Sequence, residues 1–260
     1  MERQSNGIST GRPGIRWAAA SDIGKVRQEN QDTFLVEDEL GLFLVSDGMG
    51  GHRGGSLASK IVAEDLPVMI EARLNKLKSS SIRAVRSVLK RTISEQNRQL
   101  RMEGTSEGGY KDMGATLVLA LLRNGRAYIA NMGDSRAYLL RRGRLSQRSR
   151  DHSVVSILLR HNKIVADEME NHSAQGEITK YVGMEEEAKP YVRSFALKAG
   201  DRLLLCTDGL TGTVADKDIA AKLREQPDPQ VVCEELVDAA NAAGGHDNVT
   251  VVIVDWTGVA

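Results

Sequence analysis

The sequence predicts an α+β fold of packed sheets, with a small flap inserted between strands. Three observations carry this. Short apolar runs bounded by turn residues recur along the chain, as buried strands do. Two longer stretches instead repeat apolar residues every 3.6 positions, as helices with one buried face do. Strands and helices also fall into blocks rather than alternating, which argues against a regular parallel α/β design. No internal repeat, long linker or low-complexity block divides the 260 residues. One domain is therefore expected over 16–257, behind a mobile tail at 1–15.

Met1 to Gly14 is rich in Ser, Asn, Thr and Gly and has no periodicity, the signature of an unpacked segment. Trp17 to Ser21 reads as a short strand, and the polar loop Asp22 to Asp32 feeds another at Thr33 to Val36. Leu42 to Ser46 is a third strand that halts at Asp47-Gly48. Leu57, Ala58, Ile61, Val62, Leu66, Met69 and Ile70 then mark one face of a helix, and Ile82, Val85, Leu89, Ile93 and Leu100 mark a second. Ala115 to Leu122 and Arg126 to Met132 flank Asn124-Gly125, the strongest short-range hairpin signal. A second hairpin turns at Arg142-Gly143, and its arginines (141, 142, 144, 148 and 150) are expected at an exposed tip. The segment from about 153 to 179 changes character, with short helical pieces rich in Glu, His and Asn, and is a candidate flap over a site. Strands within Tyr191 to Leu205, helices at Asp216 to Leu223 and Pro229 to Ala243, and a last strand at Asn248 to Asp255 complete the chain.

Four Asp residues stand at the ends of apolar runs: Asp32, Asp47, Asp208 and Asp247. One Asp-Gly at a strand end reads as a turn. Four carboxylates in parallel contexts read as a gathering, and anions at the edge of a low-dielectric core need positive compensation. Bound cations supply it. The donors are oxygens, with no Cys or His cluster at zinc-like spacing, so Mg²⁺ or Mn²⁺ is favoured over Zn²⁺. Arg27 lies five residues before Asp32, close enough to fork onto a phosphate beside such a centre. Asp134, in the tight turn Gly133-Asp134-Ser135-Arg136, joins the group or simply shapes the hairpin.

Bulk composition narrows the partners. Thirty-five Lys plus Arg balance 35 Asp plus Glu, so no global field favours nucleic acid or an anionic membrane. The two cysteines, Cys206 and Cys233, form no framework, and no run of 18 apolar residues exists, which together point to a cytoplasmic protein. A Cys-based phosphatase needs an Arg six positions after its Cys, where this chain has Gly212 and Ala239. The phosphate loop G-x-x-x-x-G-K-[ST] and the kinase H-R-D loop are also missing.

In order, the chain carries Val26-Arg27-Gln28-Glu29-Asn30-Gln31-Asp32, Ser46-Asp47-Gly48-Met49-Gly50-Gly51-His52, Met113-Gly114-Ala115-Thr116-Leu117, Gly133-Asp134-Ser135-Arg136, Asp151-His152-Ser153, Ile178-Thr179-Lys180-Tyr181-Val182-Gly183, Cys206-Thr207-Asp208-Gly209-Leu210 and Gly244-Gly245-His246-Asp247-Asn248-Val249-Thr250. This ordered set, spanning Trp17 to Asp255, resembles the PPM family of metal-dependent Ser/Thr protein phosphatases, the PP2C type, in its compact bacterial form. The resemblance implies a four-layer α-β-β-α sandwich, two central antiparallel sheets flanked by helices. It implies two Mn²⁺ or Mg²⁺ ions held by Asp32, Asp47, Asp208, Asp247 and the Gly48 carbonyl, with Asp134 and Asp208 holding a third, weaker ion. Arg27 matches the phosphate-binding arginine, and Asn248 is read as steadying the Asp247 loop. The implied reaction is hydrolysis of phosphoserine and phosphothreonine on proteins by a hydroxide bridging the metals. It would reverse a bacterial Ser/Thr kinase acting on its targets, in a monomer that binds neither nucleic acid nor membrane. Alternative readings are a phosphatase of a regulatory protein such as an anti-sigma antagonist, or an inactive phosphoprotein-binding module. Two departures stand out: Gln31 replaces a frequent Glu, and Met49 replaces a His proposed to protonate the leaving group. That leaves the general acid unassigned, with His52 and His152 as nearby candidates by motif and a metal-bound water as the alternative.

Overall fold

The computed structural model describes residues 4–9, 13–50, 52–106, 110, 113–169, 172–185 and 189–258, with backbone alone at 4–9, 52, 53 and 166. Two antiparallel sheets stack face to face. The first runs β1 (Gln4–Ser9), β2 (Ile15–Asp22), β12 (Val249–Trp256), β11 (Asp201–Cys206), β8 (Arg136–Arg141) and β9 (Arg144–Gln147). The second runs β10 (Tyr191–Ala196), β7 (Arg126–Met132), β6 (Leu117–Arg123), β4 (Leu42–Met49) and β3 (Asp32–Glu37), with β5 (Gly114–Ala115) on the end of β4. Helices α1 (His52–Asn75) and α2 (Ile82–Thr105) cover the second sheet. On the first sheet lie the short α4 (Asp208–Thr211), α5 (Asp216–Glu225) and α6 (Pro229–Ala242). Helix α3 (Val154–Arg160) and a short 3-10 turn (Ala166–Glu168) belong to the flap region. The four-layer α-β-β-α sandwich is therefore the observed architecture.

The layering explains why the central strands read as unbroken apolar runs. Successive side chains of a strand point to opposite faces, and here both faces are covered. On β4, Leu42 and Leu44 enter the core under α1 and α2, while Phe43 and Val45 enter the core between the sheets. On β11, Leu203 and Leu205 face the other sheet, and Leu204 and Cys206 face α5 and α6. Both predicted hairpins turn through two residues with positive φ, Asn124 (51°) with Gly125 (64°) and Arg142 (52°) with Gly143 (74°). That geometry matches the twist of the flanking strands.

Two expectations are revised. Part of the stretch read as a mobile tail, Gln4–Ser9, forms the edge strand β1 on β2, with Gln4 opposite Ser21 and Asn6 opposite Ala19. An edge needs only backbone donors and acceptors, so a polar segment without periodicity can fill it. The register shift between Asn6 and Ser9 is a typical edge irregularity. Asp47, read as lying where its strand ends, sits within β4, because Gly48 and Met49 go on to pair with Ala115 and Gly114 of β5.

A buried ion pair clamps the first sheet to the loop after α5. The Arg202 guanidinium forks onto Asp255 (2.6 and 2.8 Å) and donates to the carbonyls of Leu223, Gln226 and Pro227. Removing one member of such a pair leaves the other buried and uncompensated. Arg202→Ala should cost about 3 kcal/mol in urea unfolding, the low end of the range for buried pairs because Arg16 still reaches Asp255 at 3.1 Å. A loss below about 1 kcal/mol, the worth of a surface pair, would contradict this.

Candidate metal centre

Five carboxylates from both sheets converge at one end of the sandwich. Asp32 opens β3 and pairs in register with Asp47 on β4, a like-charge pairing that costs stability unless neutralised. Asp208 begins α4 just beyond β11, and Asp247 occupies the turn just before β12. Because β11 and β12 are antiparallel neighbours, the end of one and the start of the other reach the same edge. Asp134 joins them from the tight turn between β7 and β8.

The electrostatics of the cluster are unfavourable as it stands. Burial, followed by the charges of Asp208 and Asp247, pushes Asp32 up to about 7, although the Thr250 and Thr207 hydroxyls oppose the shift. Burial and then Asp208 and Asp151 push Asp134 up to about 7. Asp47 is raised well above the usual carboxylate range by burial and then by Asp32, Asp208, Asp247 and Asp134. Asp208 is raised by burial and Asp247, partly relieved by its hydrogen bond with Asp47 and by Arg27. Asp208 thus interacts with every other member of the group.

Backbone and hydroxyl contacts fix these side chains. Thr207 Oγ1 donates to Asp32 Oδ2 at 2.9 Å and accepts from the Thr250 amide, which ties the β11–β12 edge to β3 across the sandwich. Thr116 holds Asp47 from both sides: its amide donates to the Asp47 carbonyl (2.8 Å) and its hydroxyl accepts from the Asp47 amide (3.0 Å). A Cβ on Gly48 would lie 2.0 Å from the Gly55 carbonyl oxygen, and one on Gly209 would lie 1.9 Å from that of Asn248. The glycine of each Asp-Gly pair is therefore required for close backbone packing rather than for a turn.

Asn248 does more than was read for it. Its own amide donates to Asp247 Oδ1, but its side chain staples the 23–31 loop, accepting from the Gln31 amide and donating to the Ile23 and Glu29 carbonyls. That loop presents Arg27, half-exposed, whose Nη2 donates to Asp247 Oδ2 at 2.7 Å.

A cavity of about 480 Å³ opens above the cluster, lined by Arg27, Asp47, Gly48, Asp208 and Asp247, with Gly176 and Ile178 of the flap region across it. It adjoins a second cavity of about 370 Å³ that contains Asp134 and shares Asp208 and Gly176. A larger groove of about 790 Å³ runs between α1, α2 and Lys189-Pro190, away from the carboxylates.

The centre fits hard cations. Asp32 Oδ1, Asp134 Oδ1 and Asp208 Oδ1 are buried without a hydrogen-bond partner, and carboxyl oxygens are the donors Mg²⁺ and Mn²⁺ prefer. Among the described residues no three His, Cys, Asp or Glu side chains are already arranged to hold a metal ion, so the fit rests on these orphaned oxygens and the acidic charge.

The sequence-derived set of Asp32, Asp47, Gly48, Asp134, Asp208, Asp247 and Arg27 is thus brought together. Of the imidazole candidates, His152 is not. His152 lies outside this cavity, accepts from the Gly133 amide through Nδ1 at 3.3 Å, and is pushed down to about 4 by burial and by Lys180, Arg160 and Arg150. It is neutral near pH 7 and braces the turn that carries Asp134. The side chain of His52 lies outside the described residues. Sequence reasoning missed the roles of Thr207 and Thr116; the one available signal was a polar residue at the end of an otherwise apolar run.

The chain resembles known proteins over most of its length. The family model described as "Protein phosphatase 2C" matches residues 24–245. The chain is 32% identical over 238 residues to a serine/threonine phosphatase, stp, of Listeria monocytogenes, covering 90% of this chain and 93% of that one. It superposes on the serine/threonine phosphatase PstP/Ppp of Mycobacterium tuberculosis with a TM-score of 0.78 and 32% identity, covering 94% of this chain and 99% of the other. A PstP catalytic domain in complex with two manganese ions gives a TM-score of 0.76 at 31% identity, covering 93% and 97%. A match over most of the chain shows that it belongs to the protein phosphatase 2C family.

Proposed function

We infer that the chain is a metal-dependent protein-serine/threonine phosphatase, a hydrolase of phosphoric monoesters on phosphorylated proteins. The carrying observation is the cluster of five recessed Asp side chains with an arginine at its rim. In this reading Asp32, Asp47, Asp208, Asp247 and the Gly48 carbonyl hold two Mn²⁺ or Mg²⁺ ions, and Asp134 with Asp208 holds a third, weaker one. Such ions neutralise phosphoryl oxygens and make water nucleophilic near neutral pH. Arg27 leaves Asp247 to fork onto the phosphoryl group, and Asn248 keeps its loop in place. The segment 153–179 acts as a flap on a single domain spanning 16–257, and Gly176 and Ile178 shield the cavity from water.

No cysteine attacks the substrate. Cys206 is buried at the end of β11, its thiol pushed up to about 12 by burial, and Cys233 is buried under α6. Among the described residues no His lines the cavity, and Met49, which does, has no proton to give. No described helix is long and apolar enough to cross a membrane. A cytoplasmic monomer that opposes a Ser/Thr kinase and acts on its targets is the setting that this reading proposes.

The test is phosphate release from a phosphothreonine peptide in EDTA and after Mn²⁺ or Mg²⁺ is restored. Activity that disappears with chelation and returns with metal is expected; activity indifferent to chelation would refute the reading. Arg27→Ala should lower kcat/KM by about 10- to 100-fold, the worth of a hydrogen-bonded charge pair. Arg27→Lys should restore little, because an ammonium cannot reproduce the planar fork.

A further inference from the structure

The flap region has a second face. Its returning segment bonds back to the start of α3, with the Val154 amide donating to the Glu177 carbonyl and the Thr179 amide to the His152 carbonyl (2.6 Å), and Ser153 bridging Ile178. Ile178 lines the metal cavity, whereas the next two residues, Thr179 and Lys180, line a separate cavity of about 420 Å³. That cavity is also lined by Arg150, Arg160, Lys189, His152 and His161, and among the described residues no Asp or Glu lines it.

Such one-sided charge is unusual in a chain whose formal charges cancel. Among the described residues none of the four cations pairs with a carboxylate. Arg160 spends one nitrogen on the Asp151 carbonyl and Ser156 Oγ, and Arg150 sits over the Tyr191 ring, its Cζ 4.6 Å from the centroid. Burial and the fields of Lys180, Arg160 and Arg150 keep His152 neutral. Since its Nδ1 accepts the Gly133 amide, Nε2 carries the proton and is left as a donor. The Thr179 hydroxyl is buried with no partner. Converging cations beside two neutral donors lacking an acceptor are what an oxyanion requires.

We propose that this cavity is a second oxyanion site, taking a phosphoryl group on Arg150, Arg160 and Lys180 with the Thr179 hydroxyl and the His152 Nε2–H as further donors. The group is either free inorganic phosphate or a second phosphoryl group on the substrate protein; the latter source rests on the phosphatase reading. Because Ile178 and Thr179 are consecutive, an occupant would also steady the segment that roofs the metal cavity.

Titration of inorganic phosphate into the full-length Arg27→Ala protein in EDTA, followed by backbone amide NMR shifts, tests the site with the acidic centre made repulsive to anions. Saturable shifts at Thr179 and Lys180 are expected. The double variant Arg160→Gln/Lys180→Gln, checked for folding by its melting curve, should weaken them about tenfold or more. Absence of saturable shifts there, or shifts that the double variant leaves intact, overturns the proposal. The same double substitution on the otherwise unaltered protein, loaded with Mn²⁺, should turn over p-nitrophenyl phosphate at an unchanged rate. A KM raised about tenfold for a doubly phosphorylated peptide, with that for its singly phosphorylated form unchanged, assigns the site to the substrate. Loss of phosphate binding without that discrimination assigns it to free phosphate. Should the unaltered protein fail to hydrolyse any ester, the phosphatase reading fails, while the titration still decides the site.

Discussion

Asp208→Ala is expected to reduce phosphate release on the order of 10³-fold: its carboxylate lines both cavities, and on the proposed reading its loss forfeits several kcal/mol of transition-state charge stabilisation. The same substitution should leave the metal-free protein more stable than its parent near pH 8. Asp208 raises the proton affinity of Asp32, Asp47 and Asp134, so its removal relieves repulsion throughout the group. Opposite movements of activity and melting temperature would separate a functional loss from a folding defect. Undiminished turnover, or equal loss of both quantities, would refute the assignment. Asp47→Asn should behave alike in activity, since Asp47 lies in register with Asp32 and hydrogen-bonds Asp208.

Without divalent ions, stability should fall as pH rises from about 4 to about 7. Asp32 and Asp134 titrate near 7 in the folded chain, against an ordinary value near 4, so in this window the folded state binds more protons than the unfolded state. Unfolding free energy then decreases with pH. Two groups displaced this far amount to several kcal/mol at most, a drop in melting temperature on the order of 10 °C between pH 5 and pH 8. Mn²⁺ or Mg²⁺ binds the ionised carboxylates, so its stabilisation should be largest above pH 7 and small at pH 5. Asp32→Asn should flatten the metal-free profile. A melting temperature in EDTA that rises steadily from pH 5 to pH 8 would contradict this account.

Local patterns in the sequence determined the segregated strands and helices, both two-residue hairpins, the Asp residues near the ends of apolar runs and the ordered motifs of the family. These are visible because strand burial, helix periodicity and turn chemistry are written within a few neighbouring residues. Tertiary structure alone decided the rest. β1 became a strand because the edge of β2 was available, which no pattern inside residues 4–9 reveals. Thr207 and Thr116 became positioning residues because β11 reaches β3 across the sandwich and the β5–β6 break meets β4. The arginines around the second hairpin separated: Arg141 forks onto Asp201, Arg148 stacks on Phe195, and Arg150 turns into the cavity behind the flap segment. His152, a candidate by motif, lines that cavity instead of the metal cavity. Contacts between residues tens to hundreds of positions apart depend on which surfaces the packed layers bring together, and local sequence does not encode that distance.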